Sequence, residues 1–408
     1  MQLRLYQVKL AFDWVNILRE KWLLYLALEV RVWKTITALE IAKLYWAKNV
    51  LFITKLKAFS SIKWDAQYYC DDFNVTVINK ESIHKVEWSF DLVIVDEAHG
   101  FWTYPKPNKA AKEVRKRYSK TPMIFLSGTP SPESYSQFYH QYWLSSRSPW
   151  KAYRNFYAWS KDYVIPAVIY TSYWEAQDYS WAIQEKVMAD IKSTVLTFTQ
   201  KEAWFTTEID EHIHYVNMEK STYDMANSLI TNQVIQGKSE VILADTAVAL
   251  QQKLHQIYSG TVKFESGNAM TLDLSKAKYI QEKFSWMQIG IFYIYQQEFK
   301  ALQEVFGENL TTDLDEFNST RKNIALQVVS GREGISLKNA EALIFYNISF
   351  SAVSYFQAKD RMTTIDRLKN NVYWIFSRWG IEDKIYQAVM DKKNYTLDIF
   401  KKDFKYRV

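Results

Sequence analysis

The chain is poor in glycine, has a single cysteine and contains no long apolar run. Only 10 of its 408 residues are Gly, roughly a third of what an average usage near 7% would supply. Missing glycines remove access to left-handed backbone and to close backbone approach. Cys70 stands alone, which excludes an intrachain disulfide and fits a reducing compartment. The apolar run from Trp22 to Leu28, closed by Glu29, is too short to span a bilayer. Met1-Gln2-Leu3-Arg4 leads into no signal-type apolar core with a cleavage site. These absences set the expectation of a cytoplasmic protein without a membrane partner.

What is abundant is aromatic: 16 Trp and 28 Tyr. The Trp residues are scattered, so packing explains them better than a base-stacking platform. The net charge of +6 is mildly basic and favours a polyanionic partner. A chain of this length is expected to form two domains. In the first part, Asn49–Thr54, Asn74–Asn79, Asp91–Asp96 and Pro122–Ser127 read as strands separated by helical or loop segments. Such alternation predicts a parallel sheet covered by helices on both faces. A second alternating block has strand candidates at Ile289–Ile294, Asn323–Val329, Ala342–Asn347 and Val372–Phe376. Boundaries are expected at 1–150 for a first lobe, 151–238 for a connecting region and the start of a second, and 239–408 for the second lobe. His212 and His214 share one face of an alternating stretch, but no Cys or acid cluster completes a metal site there.

Two tetrapeptides follow apolar runs: Asp96-Glu97-Ala98-His99 and Ser127-Gly128-Thr129-Pro130. Carboxylates at the C-terminal end of a parallel strand sit where open α/β sheets bind ligands. One acid can hold Mg²⁺ beside a nucleotide while its neighbour orients an attacking water. Upstream, Val32-Trp33-Lys34-Thr35 opens a helix; downstream stand Ser330-Gly331-Arg332-Glu333-Gly334 and Gln357-Ala358-Lys359-Asp360-Arg361.

In this order the segments resemble the motifs of superfamily 2 helicases, most closely the SNF2-like group found in bacteriophages, over nearly the whole chain. The resemblance implies two RecA-like lobes, each a mainly parallel sheet flanked by helices, with ATP bound in the cleft between them. It implies ATP and Mg²⁺ as cofactors and DNA, duplex or single-stranded, as the partner held through its backbone. Gln7 would read the adenine edge. Lys34 would reach the phosphates, Thr35 and Asp96 would hold Mg²⁺, and Glu97 would position the water. Gly331 and Arg361 would complete the nucleotide site, Arg361 as a finger on the γ-phosphate. His99, Ser127, Thr129 and Gln357 would link nucleotide state to the lobes. Lys55, Asn79, Ser330 and Arg332 would hold nucleic-acid phosphates. Phage or host replication and recombination proteins are further partners on this reading, the host bacterial cytoplasm is the location, and no oligomer is required.

The phosphate loop departs from the pattern. Arg31 and Trp33 stand where the family carries glycine, and a Cβ there obstructs the approach of backbone N–H groups to phosphate. A place usually held by a further arginine is Thr364, with Arg367 beyond it. Two readings therefore stand: an ATP-driven motor, and a helicase-fold protein that binds nucleic acid without turnover. Hydrolysis of another phosphate compound needs neither the paired lobes nor the SGTP and SGREG loops.

Overall fold

Short apolar runs build the first sheet: β1 (Leu23–Leu28), β2 (Asn49–Thr54), β3 (Asn74–Asn79), β4 (Leu92–Val95), β5 (Met123–Leu126) and, after a hairpin of β6 (Ala167–Tyr170) and β7 (Glu175–Asp178), β8 (Val195–Phe198). The computed structural model describes residues 5–29, 32, 34–69, 73–86, 89–101, 103–131, 134–170, 175–199, 201–203, 208–237, 240–328, 337–349, 362 and 369–393. The sheet order is β3-β2-β4-β5-β1-β8, with every neighbouring pair parallel.

Side-chain alternation divides the strands between two cores. Tyr25, Leu51, Ile53, Val93, Val95 and Phe125 face one way; Leu24, Leu26, Phe52, Ile94 and Ile124 face the other. Burial on both faces explains why the strands read as continuous apolar runs. Helices α1 (Leu5–Lys21), α2 (Lys34–Leu44) and α3 (Phe59–Tyr69) cover the second face through Leu10, Leu18, Leu39, Ile41 and Ile62. Helices α4 (Lys109–Tyr118), α5 (Phe138–Trp143), α6 (Phe156–Tyr163) and α7 (Gln184–Ile191) cover the first through Val114, Phe138, Tyr142, Trp159 and Ile191. Each fully buried aliphatic or aromatic side chain contributes about 1.5–3 kcal/mol relative to exposure.

Two compact units result, the first built from residues up to Phe205, to which Lys392 and Lys393 also belong, and the second running from Thr206 to Asp391. The boundary expected near residue 150 thus falls inside the first unit. The reason is β8, which pairs with β1 and buries Leu196 and Phe198 on the α1–α3 side. The run from Trp22 to Leu28, noted in the sequence only for its shortness, supplies β1, the strand between β5 and β8.

The second unit contains β9 (Glu208–Val216), two small hairpins of β10 (Val234–Gln236) with β11 (Val241–Leu243) and β12 (Thr261–Lys263) with β13 (Ala269–Thr271), then β14 (Ile289–Tyr293), β15 (Leu310–Thr311), β16 (Asn323–Gln327), β17 (Ala342–Phe345) and β18 (Lys369–Ser377). Its sheet, β15-β16-β14-β17-β18-β9, is also parallel throughout. Helices α8 (Lys220–Asn232), α9 (Ala247–Tyr258), α10 (Ser275–Lys283) and α11 (Gln296–Phe306) precede or follow these strands, and Ile280 and Leu302 pack against Ile291 and Ile344. Each unit is a RecA-like lobe, a parallel sheet with helices packed on it. Among the described residues no helix is long and apolar enough to cross a membrane.

Candidate nucleotide site

Parallel register aligns the C-terminal ends of four adjacent strands in the first unit. Ile53 pairs with Val95, Val95 with Phe125, and Leu26 with Leu126. Thr54, Asp96, Ser127 and Leu28 are thereby brought to one edge. Lys34, the first residue of α2, arrives at the same edge, and its Nζ donates to Leu28 O at 3.3 Å. Thr35 follows it, partly exposed. A helix starting there turns its N-terminal amides and dipole toward an anion.

Asp96 extends β4, its amide donating to Ile53 O at 2.8 Å. Thr54 Oγ1 donates to its Oδ2 at 2.8 Å and the Glu97 amide to its Oδ1 at 3.0 Å. Burial, and next the neighbouring Glu97 charge, push its carboxyl up to about 7, against the pull of the Thr54 hydrogen bond and the Lys34 ammonium. Two adjacent carboxylates with this deficit of positive charge suit a divalent cation. Each Asp96 oxygen accepts one hydrogen bond in the described contacts, leaving acceptor capacity for a metal-bound water. The Asp96 carboxylate thus has the chemistry to take part in holding Mg²⁺.

Glu97 has a left-handed backbone, φ 47°, a conformation that costs a non-glycine residue of the order of 1–3 kcal/mol and clusters at functional sites. Its Oε2 lies 3.2 Å from His99 Nδ1. The same nitrogen lies 2.9 Å from Ser127 Oγ, which accepts the Thr129 amide at 3.1 Å. His99, Ser127 and Thr129 are all buried. Residues Asp96, Glu97, His99, Ser127 and Thr129, identified from two separate tetrapeptides, thus form one cluster.

The other sequence candidates are placed as follows. Gln7 is a fully buried residue of α1. Lys55 follows Thr54, and Asn79 ends β3 directly beside it, Thr54 pairing with Asn79; both are partly exposed. The Thr54 hydroxyl itself is engaged by Asp96. Arg31, Trp33, Ser330, Gly331, Arg332, Gln357, Arg361, Thr364 and Arg367 lie outside the described residues. Sequence reading missed Tyr25 and Gln141, which join the cluster from behind. Tyr25 Oη donates to Gln141 Oε1 at 2.6 Å, and Gln141 Nε2 donates to Pro130 O, next to Thr129, at 2.8 Å. The available signal was a phenol inside the apolar run Leu23–Leu28 and an amide inside the aromatic helix α5.

At the strand ends of the second sheet, charge is neutralised internally. Lys276 and Glu382, both fully buried, pair at 3.0 Å, and Glu382 also accepts the Ser377 amide at 3.1 Å. Glu298 accepts the Ile294 and Tyr295 amides at 2.6 and 3.0 Å and Asn347 Nδ2 at 2.9 Å. His255 spans Tyr295 Oη at 2.7 Å and Ile348 O at 2.8 Å; burial holds its imidazole down at about 4. His212 lies 3.1 Å from Asp210 and His214 is 3.0 Å from Tyr279 Oη, partners that leave neither as an isolated metal donor. Among the described residues no cluster of His, Cys, Asp and Glu suits a metal by the usual grouping of three.

No protein-family model and no curated protein sequence matches the chain. Among solved structures it is similar to the SWI2/SNF2 ATPase core of Sulfolobus solfataricus in complex with double-stranded DNA, at 15% identity over 99% of this chain and 94% of that one, with a TM-score of 0.44. A second structure of that organism's SWI2/SNF2 ATPase core domain is 16% identical over 100% of this chain and 95% of the other, with a TM-score of 0.43. The two parallel sheets establish the fold independently of these likenesses.

Proposed function

We propose that the chain is an ATP-driven nucleic-acid translocase or helicase acting on DNA, with its hydrolytic site at the strand ends of the first unit. The observation that carries this reading is the convergence of Lys34, Asp96, Glu97, His99 and Ser127 on one sheet edge. Lys34 and the start of α2 would cradle the phosphates of ATP. Mg²⁺, held by Asp96 and Thr35, would neutralise phosphate charge when bound. Glu97 would orient the attacking water, and its link through His99 to Ser127 ties that carboxylate to the loop after β5. Lys55 and Asn79, neighbours at the same edge, would hold backbone phosphates without reading bases. Binding should weaken steeply with salt.

The second reading, DNA binding without turnover, is favoured by one specific feature: Arg31 and Trp33 in the phosphate loop. ATP-driven displacement of a third strand from a DNA triplex separates the two. A translocase clears the third strand in the presence of ATP, and Glu97→Gln does not. Triplex left intact at saturating protein and ATP would remove the motor reading.

A further inference from the structure

The basic surplus of the chain is gathered in one stretch. Residues 106–120 carry seven Lys or Arg and a single acid, Glu113, a surplus equal to the +6 net charge of the whole chain. Both arginines are engaged. Arg115 donates to Trp143 O and lies 4.3 Å over the Trp143 ring; Arg117 donates to Glu113, Val86 O and His84 O. Lys109, Lys112 and Lys116 are exposed, and Arg117 already takes the one acid of the helix. With about 3.6 residues per turn, these three form a stripe opposite the buried line of Ala111, Val114 and Tyr118.

The stripe is unfavourable to α4 itself. Lys109 sits in a first turn without an acid, where the helix dipole disfavours a cation. Lys112 follows it at i,i+3 and Lys116 follows Lys112 at i,i+4, spacings at which like charges repel. An anionic partner would relieve both effects. The helix also begins beside the candidate site. Asn108 caps it by accepting the Ala111 amide at 2.8 Å and donates to Gly100 O at 3.1 Å. Lys80, next to Asn79, brings its Nζ 4.0 Å from where a Cβ on Gly100 would stand. Cations thus continue from the strand ends onto α4. Among the described residues between 73 and 156 no large apolar side chain is exposed. Protein interfaces deplete Lys and favour aromatic anchors, whereas a phosphate backbone asks only for donors and positive charge.

We propose that the exposed face of α4 is a second contact for duplex DNA, with Lys109, Lys112 and Lys116 on backbone phosphates beyond those held by Lys55 and Asn79. This rests on the DNA-binding reading above and is independent of ATP turnover. The test is the salt dependence of binding to a fluorescent duplex of about 30 base pairs, measured by anisotropy without nucleotide. Replacing all three lysines by Gln should flatten the slope of log K against log salt by about 0.9 per lost contact, about 2.7 in all. A control removes the same charge from exposed Lys278, Lys283 and Lys300 of the second unit and should leave the slope unchanged. Lys109→Gln alone should raise the melting temperature of the free protein while weakening DNA binding, opposite movements that a purely structural lysine would not produce. An unaltered slope in the triple variant, or an equal loss in the control, overturns the proposal. If Lys55→Gln flattens the slope and the triple variant does not, DNA binding stands and only the α4 contact falls. A chain that binds no duplex at low salt defeats the DNA-binding reading, and the α4 contact with it.

Discussion

The strand ends of the two sheets handle charge in opposite ways. In the first unit Asp96 is held by a hydroxyl and an amide, with Glu97 beside it. In the second, Glu382 is held by the Lys276 ammonium and a backbone amide, and the pair is fully buried. The second arrangement supplies its own counter-charge, so it is structure. Negative charge at the first edge exceeds what its neighbours compensate, as the raised Asp96 carboxyl records. Strain adds to the contrast, since Glu97 holds a left-handed backbone there. Uncompensated charge and strain at one strand edge, beside a self-neutralised edge in the other unit, mark the first as the candidate site and the second as scaffold.

The largest expected effect breaks the scaffold. Lys276→Met leaves Glu382 buried without its cation and should cost about 3–5 kcal/mol in urea denaturation. Replacing both partners by apolar residues of similar volume should restore most of the loss, which distinguishes a charge effect from a packing defect. Next comes acid. His255 is held below the ordinary histidine value, at about 4, so its contribution is complete above about pH 6.5 and is lost as pH falls toward 4. Linkage puts that loss at about 3 kcal/mol, and His255→Gln should flatten the slope of stability against pH.

Asp96 has the opposite sign. Its folded value is raised to about 7, so the metal-free protein loses stability as pH rises from about 4 to 7. Mg²⁺ competes with that proton: affinity for Mg²⁺ with ATP should drop about tenfold per pH unit below 7 and level off above it. Titration calorimetry across this range would show the slope, and Asp96→Asn should abolish it.

The smallest effect concerns glycine-poor turns. Trp46 has φ 64° just after α2, and Ala47 N bonds Ala42 O at 3.2 Å, the closure at which helices usually place glycine. Arg19 lies 5.0 Å over its ring, which offsets part of the strain. Trp46→Gly should raise stability by about 0.5–1 kcal/mol. Trp22, just after α1 and with φ 60°, is an analogous position.

Strands such as β2, β4 and β14 were legible because burial on both faces demands apolar runs. β1 was not, since a phenol interrupts its run and its hydroxyl is satisfied by Gln141, 116 positions away. β8 escaped notice because its run is only four residues long, Val195-Leu196-Thr197-Phe198, too short for a period to separate strand from loop. Asp96, Glu97, His99 and Ser127 were readable because chemistry restricts which side chains serve at a strand end. Tyr25 and Gln141 were hidden because their bond joins residues 116 positions apart, which leaves no spacing to detect.

Steady-state ATP hydrolysis, with and without duplex DNA, tests the central claim most directly when run on the chain, on Trp33→Gly and on Glu97→Gln. The expected result is DNA-stimulated turnover that falls at least about a hundredfold in Glu97→Gln. Turnover confined to Trp33→Gly would place the fault in the phosphate loop and leave the strand-end site intact. No turnover in any of the three would contradict the account.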